Sequence, residues 1–300
     1  MKTGLLTLWR ALRPPFLLLS VVVVLLATAL AVWEGHPFNG LHFTLALLGA
    51  LAAHGAVNLL NEYEDWRSGL DSLTERTPFS GGSGALQQHP EYAGLVQAAA
   101  FFLLGVVFAI GVYFYLYVGM GIVPIGLVGL GLVVLYTSTL TRHPWLCLIA
   151  AGLAFGPLMV LGTYYVLTGQ ISQRAVVVSL IPFFLVNNLL LLNQIPDMAA
   201  DRQVGRRTFP IVMGLPLTLQ VFDFFLLGAY GVLVLLVASA MLPTLALLGL
   251  MTLIFALPML LALRWVRAGR TSVLPRALAL NVVINLLTPL LIAVALWWAA

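Results

Sequence analysis

Long apolar runs broken by short polar stretches occupy almost the whole chain, and the runs have a recurring length. Stretches near the roughly 20 residues that a helix needs to cross a bilayer core fall at 15–33, 43–61, 93–118, 121–138, 145–168, 174–195, 215–240, 243–264 and 278–299. The pattern predicts nine membrane-spanning helices. The break between the third and fourth, at "GMG", is the faintest of the punctuation marks.

Composition agrees with that pattern. Hydrophobic residues make up 62% of the chain and charged residues 8%, where soluble domains carry about 25% charged residues. The expectation is an all-α, polytopic membrane bundle forming one domain over residues 1–300, with no linker long enough to separate two modules. The 14 basic residues sort by side. With the N-terminus in the cytoplasm, Arg174 alone falls outside and the other thirteen fall inside, as the positive-inside rule requires. The net charge of +4 therefore reads as topology, and no nucleic-acid partner is implied. The basic N-terminus followed by an apolar run and "ATALA" resembles a secretory signal, but the run exceeds the usual core of about 7–15 residues, so a retained helix is expected. The single cysteine, Cys147, offers neither a disulfide nor a cysteine metal cluster.

Against this background the polar residues are conspicuous. Eight of the ten acidic residues lie in two connectors, 62–92 and 196–214. The first begins within "NLLNEYEDWRSGLD" and the second within "NQIPDMAADRQVGRR". Asn61 with Asp65 and Asn193 with Asp197 repeat one N-x-x-x-D spacing 132 residues apart. Each stands at the cytoplasmic end of an even-numbered helix, so the repeat is a parallel one. On a helix, residues three or four apart share a face. His54, Asn58, Asn61 and Asp65 form one stripe; Asn193, Asp197 and Asp201 form another.

Ionisable groups in a membrane protein are costly and usually face the bundle interior or a water-filled cavity. Clustered carboxylates also repel unless a cation intervenes, and Mg2+, which takes oxygen ligands together with substrate phosphates, fits that need. Arg67, Arg76, Arg206 and Arg207 beside the acids are suited to anions. Acid, metal and guanidinium together describe a diphosphate site. Glu64, Glu75, Glu91 and Arg202 read as solvated loop charges, and Glu62 and Asp71 stand between the two readings. "TPFSGGSGAL", residues 77–86, could offer backbone N–H groups to an anion or be a plain turn. Asn187, Asn188, Asn281 and Asn285 read as polar glue between helices.

With these residues in view, the chain resembles the UbiA superfamily of intramembrane prenyltransferases. "NEYEDWRSGLD" resembles the first family motif, N-D-x-x-D-x-x-x-x-x-D, and "NQIPDMAADRQVGRRTFP" resembles the second, D-x-x-x-D followed by G-K/R-R-T. "FGPLMVLGTYYVLTG", residues 155–169, and the spacing to Asp71 resemble the 1,4-dihydroxy-2-naphthoate branch. The resemblance implies a helical bundle with a central cavity, Mg2+ and a polyprenyl diphosphate at the cytoplasmic end, and an aromatic acceptor. Asn61, Asp65 and Asp71 would form one metal-binding wall, and Asp197 and Asp201 the other. Arg76, Arg206 or Arg207 would hold diphosphate.

The chain also departs from the family pattern. Glu62 replaces an aspartate, Pro196 stands in a segment that carries arginine in the naphthoate branch, and an acidic residue expected near Leu148 is missing. "YTSTLTRHPW" lacks a proline pair, leaving Arg142 to play the basic role there. The acceptor therefore stays open between 1,4-dihydroxy-2-naphthoate, as in menaquinone biosynthesis, and 4-hydroxybenzoate or another quinone precursor. Aromatic faces that could shield an allylic cation are Tyr136, Phe155, Tyr164 and Tyr165. The rival from another class is a secondary transporter or channel, whose ion pathway would also need membrane acids. The expected location is a bacterial cytoplasmic membrane with the site facing the cytoplasm.

Overall fold

The computed structural model describes residues 2–74 and 81–300. Arg76 and Glu75, and the Thr77–Ser80 part of the glycine-rich segment, lie outside the described residues. Among these residues there is no β-strand, and the chain runs as α1 (Lys2–Leu12), α2 (Pro14–Trp33), α3 (Gly40–Arg67), α4 (Ala85–Gln88), α5 (Ala93–Tyr117), α6 (Ile122–Leu135), α7 (Pro144–Leu153), α8 (Met159–Thr168), α9 (Gln173–Gln203), α10 (Phe209–Ala238), α11 (Leu253–Arg267) and α12 (Leu274–Trp298). A π-helical turn, Ala154–Leu158, joins α7 to α8 into one span.

Eight of these spans are long and apolar enough to cross a membrane. The fourth expected helix is present as α6 but is 14 residues long. At 1.5 Å per residue it covers about 21 Å, short of the ~30 Å hydrocarbon core. Hydropathy missed α1 altogether, because an 11-residue helix with Lys2, Thr3, Thr7 and Arg10 is too short and too mixed to register as a span.

The larger difference lies at the two acidic segments, which hydropathy places in loops. α3 continues to Arg67 and α9 to Gln203, so Asn61, Asp65, Asn193, Asp197 and Asp201 all sit on helices. Pro196 removes one backbone donor from α9, yet the helix passes through it. Other boundaries follow ordinary chemistry. The Asn39 side chain accepts from the His42 backbone N–H and caps α3; Ser172 caps α9 in the same way through Ala175. In α10 the backbone breaks at Gly214, where φ is 76°, two residues before Pro216.

The buried centre is formed by α2, α9, α10 and α12, with α9 lying along α10 and α2 along α12. Leu30, Ile181, Leu185, Phe222, Met259 and Ile284 belong to one continuous apolar cluster there. Hydrophobic side chains such as Phe102, Leu116, Phe224, Leu227 and Ile254 point outward, as lipid-facing residues must. The asparagines expected as glue behave so: Asn187 Oδ1 accepts from Gly152 N at 2.7 Å, Asn188 Nδ2 donates to the Phe222 carbonyl at 2.9 Å, and Asn281 Nδ2 donates to the Asn188 carbonyl at 3.2 Å.

The connectors pair as the nine-helix reading requires. Glu34 after α2 bonds Ser172 and Arg174 at the start of α9 and the Tyr164 hydroxyl. At the opposite end Arg13 and the Ser83 N–H both meet Glu62, while Arg206 meets Asp65. Arg174 is thus separated from the acidic motifs by the length of α2.

Close helix approach depends on Gly152 and Gly156. A Cβ at Gly156 would strike the Ser179 carbonyl and Phe183 of α9, and one at Gly152 would strike Asn187 and the Phe183 carbonyl. Small residues at such crossings let membrane helices pack. Gly156→Leu should therefore lower stability by about 1–3 kcal/mol, the usual cost of overpacking, whereas Gly131→Ala on α6, where nothing lies within reach, should leave it unchanged or slightly raised. Thermal unfolding in detergent compares the two; equal melting temperatures would contradict this account of the crossing.

Candidate active site

The two polar stripes read from the sequence converge. His54, Asn58, Asn61 and Asp65 from α3 and Asn193, Asp197 and Asp201 from α9 all line one cavity of about 370 Å³. α2 contributes Phe16 and Leu19 to its wall, α7 Ala150 and Ala151, and α12 Val282, Asn285 and Leu286. The cavity is polar where both acidic motifs end and apolar toward the bundle centre.

The polar end is organised around Arg206. Gly205, with φ 80°, turns the chain back after α9, and the Arg206 N–H donates to the Asp201 carbonyl at 3.0 Å. That turn directs the guanidinium inward. Nη1 donates to Asp201 Oδ1 at 3.0 Å, and Nη2 donates to Asp65 Oδ1. One cation thus ties α3 to α9. Burial works against its charge, but Asp65 and then Asp201 outweigh that and hold its pKa above the ordinary value.

The glycine-rich turn closes over the same end. Gly81, Gly82 and Gly84 all have positive φ, and a Cβ on Gly82 would run into the Asp71 carboxylate, so this approach needs glycine. The backbone N–H groups expected to serve an anion are bonded to acids: Gly81 N–H to Asp197 Oδ2 at 3.3 Å, and Ser83 and Ala85 N–H to Glu62 at 3.0 and 3.2 Å. Glu62 is fully buried and also accepts from Arg13 at 3.0 Å and from the Ser83 hydroxyl. Its longer arm, in the place of the family's aspartate, anchors this turn.

The other expected residues divide into two groups. Asn58 lines the cavity while donating to the Leu12 carbonyl at 2.9 Å, Asn61 donates to Thr137 Oγ1 at 3.3 Å, and Asp71 lies at the mouth. Three arginines are not brought in. Arg67 is exposed and faces Glu64 at 3.9 Å, and Arg142 is exposed. Arg207 is exposed too, and among the described residues it engages only through its backbone N–H, on the Thr141 carbonyl. Tyr164 is displaced furthest: its hydroxyl donates to Glu34 at the opposite end, because that face of α8 turns away from the cavity. Of the other aromatic candidates, Tyr136 and Phe155 line the cavity, whereas the Tyr165 hydroxyl accepts from Gly121 N–H.

Sequence reasoning overlooked Arg13, Gln194 and Thr141, which also line the cavity. Arg13 was absorbed by the charge count, although its position before Pro14 was a usable signal. Pro14 and Pro15 open α2, and Arg13 adopts φ 51° to join it to α1. That turn carries its side chain to Glu62, and its Nε is buried without a partner among the described residues.

Among the described residues no three acidic, histidine or cysteine side chains form a compact metal cluster, since Asp65 and Asp201 are drawn to Arg206. The donor chemistry nonetheless fits Mg2+. Every candidate ligand is an oxygen, and the buried Asn193 Oδ1 at the cavity wall has no partner among the described residues.

Known proteins resemble this chain in sequence and in fold. A 1,4-dihydroxy-2-naphthoate octaprenyltransferase from Bacillus subtilis is 31% identical over 210 residues, covering 69% of this chain and 66% of that protein, just under two thirds of its length. A solved digeranylgeranylglyceryl phosphate synthase structure has a TM-score of 0.70 at 13% identity, covering 99% of this chain and 100% of that one. A UbiA homologue from Archaeoglobus fulgidus, solved with GPP and Mg2+, has a TM-score of 0.59 at 14% identity, covering 95% and 99%. The family model described as the UbiA prenyltransferase family matches residues 20–287, from within α2 to α12. The chain belongs to the UbiA prenyltransferase family.

Proposed function

We propose that this protein transfers a polyprenyl group from its diphosphate to a hydroxylated aromatic acceptor, 1,4-dihydroxy-2-naphthoate, in the cytoplasmic membrane of a bacterium. The carrying observation is one cavity with carboxylates and guanidinium groups at one end and apolar walls at the other. A diphosphate and a hydrocarbon tail need those two environments joined. The Bacillus subtilis relative's name supports the acceptor, and the A. fulgidus structure's GPP and Mg2+ support the donor and the metal. An ion pathway accounts for the acids but not for the apolar chamber beside them.

Asn61, Asp65, Asp71, Asn193, Asp197 and Asp201 would hold Mg2+, which neutralises the diphosphate and stabilises it as a leaving group. Arg206 and Arg13 are the guanidinium groups placed to bind diphosphate oxygens. As the bond between the allylic carbon and oxygen breaks, the electron pair leaves with diphosphate, and charge gathers where these side chains already point. Phe16, Leu19, Ala150, Ala151 and Leu286 keep water from the allylic cation. Tyr136 and Phe155 present aromatic groups at the cavity wall. The acceptor's electron-rich ring carbon then bonds to the allylic carbon, and loss of that carbon's substituent as a proton or carbon dioxide restores aromaticity. With the Arg206 end in the cytoplasm, both water-soluble groups, diphosphate and Mg2+, meet the site from that side.

Purified protein in lipid, given polyprenyl diphosphate, 1,4-dihydroxy-2-naphthoate and Mg2+, should form a prenylated naphthalene product, and excess EDTA should stop it. Prenylation of 4-hydroxybenzoate alone would replace the acceptor and keep the chemistry; undiminished turnover in EDTA would refute the metal's part.

Asp65→Asn and Asp197→Asn should each reduce turnover at least ~100-fold, about 2.7 kcal/mol of transition-state stabilisation, while inserting normally. Glu64→Gln, whose parent carboxylate lies off the stripe beside exposed Arg67, should be near neutral. Full activity of either aspartate variant removes that residue from the site.

Orientation is checked in a Cys147→Ser background. A cysteine at Gln203, beside the acidic end, should resist an impermeant thiol reagent added to intact cells, and one at Gln170, beside the Glu34 cluster, should react. The reverse labelling pattern would place the site on the outer face.

A further inference from the structure

Beyond the acidic cavity lies a second, apolar one of about 210 Å³ between α3, α5, α6 and α8. The two share a wall made of His54, Val57, Val133, Ala154 and Phe155. In that shared wall His54 is the one polar side chain. A passage serving only a hydrocarbon tail has no use for an imidazole, and an unpaired polar group facing apolar surroundings costs free energy. Something polar is therefore accommodated where the cavities meet.

The ring's hydrogen bonding defines what that is. His54 Nδ1 lies 2.9 Å from the Oγ of Ser20, a fully buried residue of α2. Among the described residues this is the only hydrogen bond of either side chain, so the Ser20 proton has no other acceptor. Ser20 donates to Nδ1, which puts the ring proton of a neutral imidazole on Nε2. Nε2 is then the polar atom that His54 brings to the cavity wall, and it is a donor. Phe155 fixes the ring plane from the other side, edge to face, with centroids 4.9 Å apart.

Position along α3 completes the argument. His54 and Asp65 are separated by eleven residues, about 16 Å at 1.5 Å per residue. Diphosphate and its allylic carbon fill the part nearest Asp65, and an aromatic ring beside that carbon reaches toward His54. Resting on the prenyl transfer proposed above, we infer that His54 is the acceptor-recognising residue, its Nε2–H donating to an oxygen substituent of the hydroxylated aromatic ring. Ser20 and Phe155 are positioning residues that hold the imidazole.

Steady-state kinetics of the full chain in lipid nanodiscs, with Mg2+, polyprenyl diphosphate and 1,4-dihydroxy-2-naphthoate, test this. His54→Leu should raise the acceptor KM ~10-fold, the scale of one lost hydrogen bond, and leave the polyprenyl diphosphate KM unchanged. Ser20→Ala should raise the acceptor KM less, and His54→Gln, which keeps a donor, should recover most of it. An acceptor KM unchanged in His54→Leu, or both KM values raised together as a packing role between α2 and α3 would do, overturns the inference. If His54→Leu fails to fold, an acceptor KM in Ser20→Ala equal to the parent's overturns it instead. Parent protein that prenylates no hydroxylated aromatic overturns the proposed function itself, and this inference with it; an active parent with indifferent variants overturns this inference alone.

Discussion

A guanidinium held between two carboxylates in a bundle nearly devoid of charge is the constraint on which the site depends. Asp65 and Asp201 belong to different helices and would repel if brought together alone. Arg206 lets them share one space. To reach them, α9 must end at Gln203 and the chain must reverse at Gly205, while α3 must carry its helix as far as Asp65. Removing one partner from a buried pair typically costs ~3–5 kcal/mol, because the remaining charges are stranded. The cavity's position, at the meeting of α3 and α9, follows from that pairing.

Glu62 performs a parallel task one residue-face away. Its two oxygens gather Arg13, the Ser83 hydroxyl and the backbone of Ser83 and Ala85, so three separate segments meet at one buried carboxylate. The start of α2, the C-terminal end of α3 and the glycine-rich turn are thereby fixed relative to each other. Asp197 adds a fourth tie through Gly81. The mouth of the cavity is assembled from backbone donors and acids, with the arginines left to face its interior.

The bundle was readable because membrane helices announce themselves by length and hydropathy, and the stripes on α3 and α9 because polar residues at helical spacing are rare in such a chain. What escaped did so for physical reasons. Charge is a poor guide to helix ends near a bilayer surface, so the connector drawn at 196–214 begins inside the last turns of α9, which runs to Gln203. Closeness to an acidic motif in sequence says nothing about which way an arginine points: Arg67 and Arg207 turn outward, while Arg13, 52 residues before Asp65, turns in. Tyr164 was misplaced because its distance from the site lies along a helix axis, a dimension that motif matching does not register.

The π-helical turn at Ala154–Leu158 has an outcome for anyone aligning or mutating this span. It contains Pro157 and inserts an extra residue into the helical path, so the angular register of α7 does not continue into α8. The inward face of α7 includes Cys147, Leu148 and Ala151, and that of α8 includes Val160 and Tyr164. Steps of four from Leu148 pass through Gly152 and Gly156 to Val160 and Tyr164, all of them buried, whereas an unbroken 3.6-residue repeat would turn Tyr164 to the side opposite Leu148. A helical wheel drawn through residues 144–168 would mix lipid-facing with buried positions, and substitutions selected from it would probe the wrong surface.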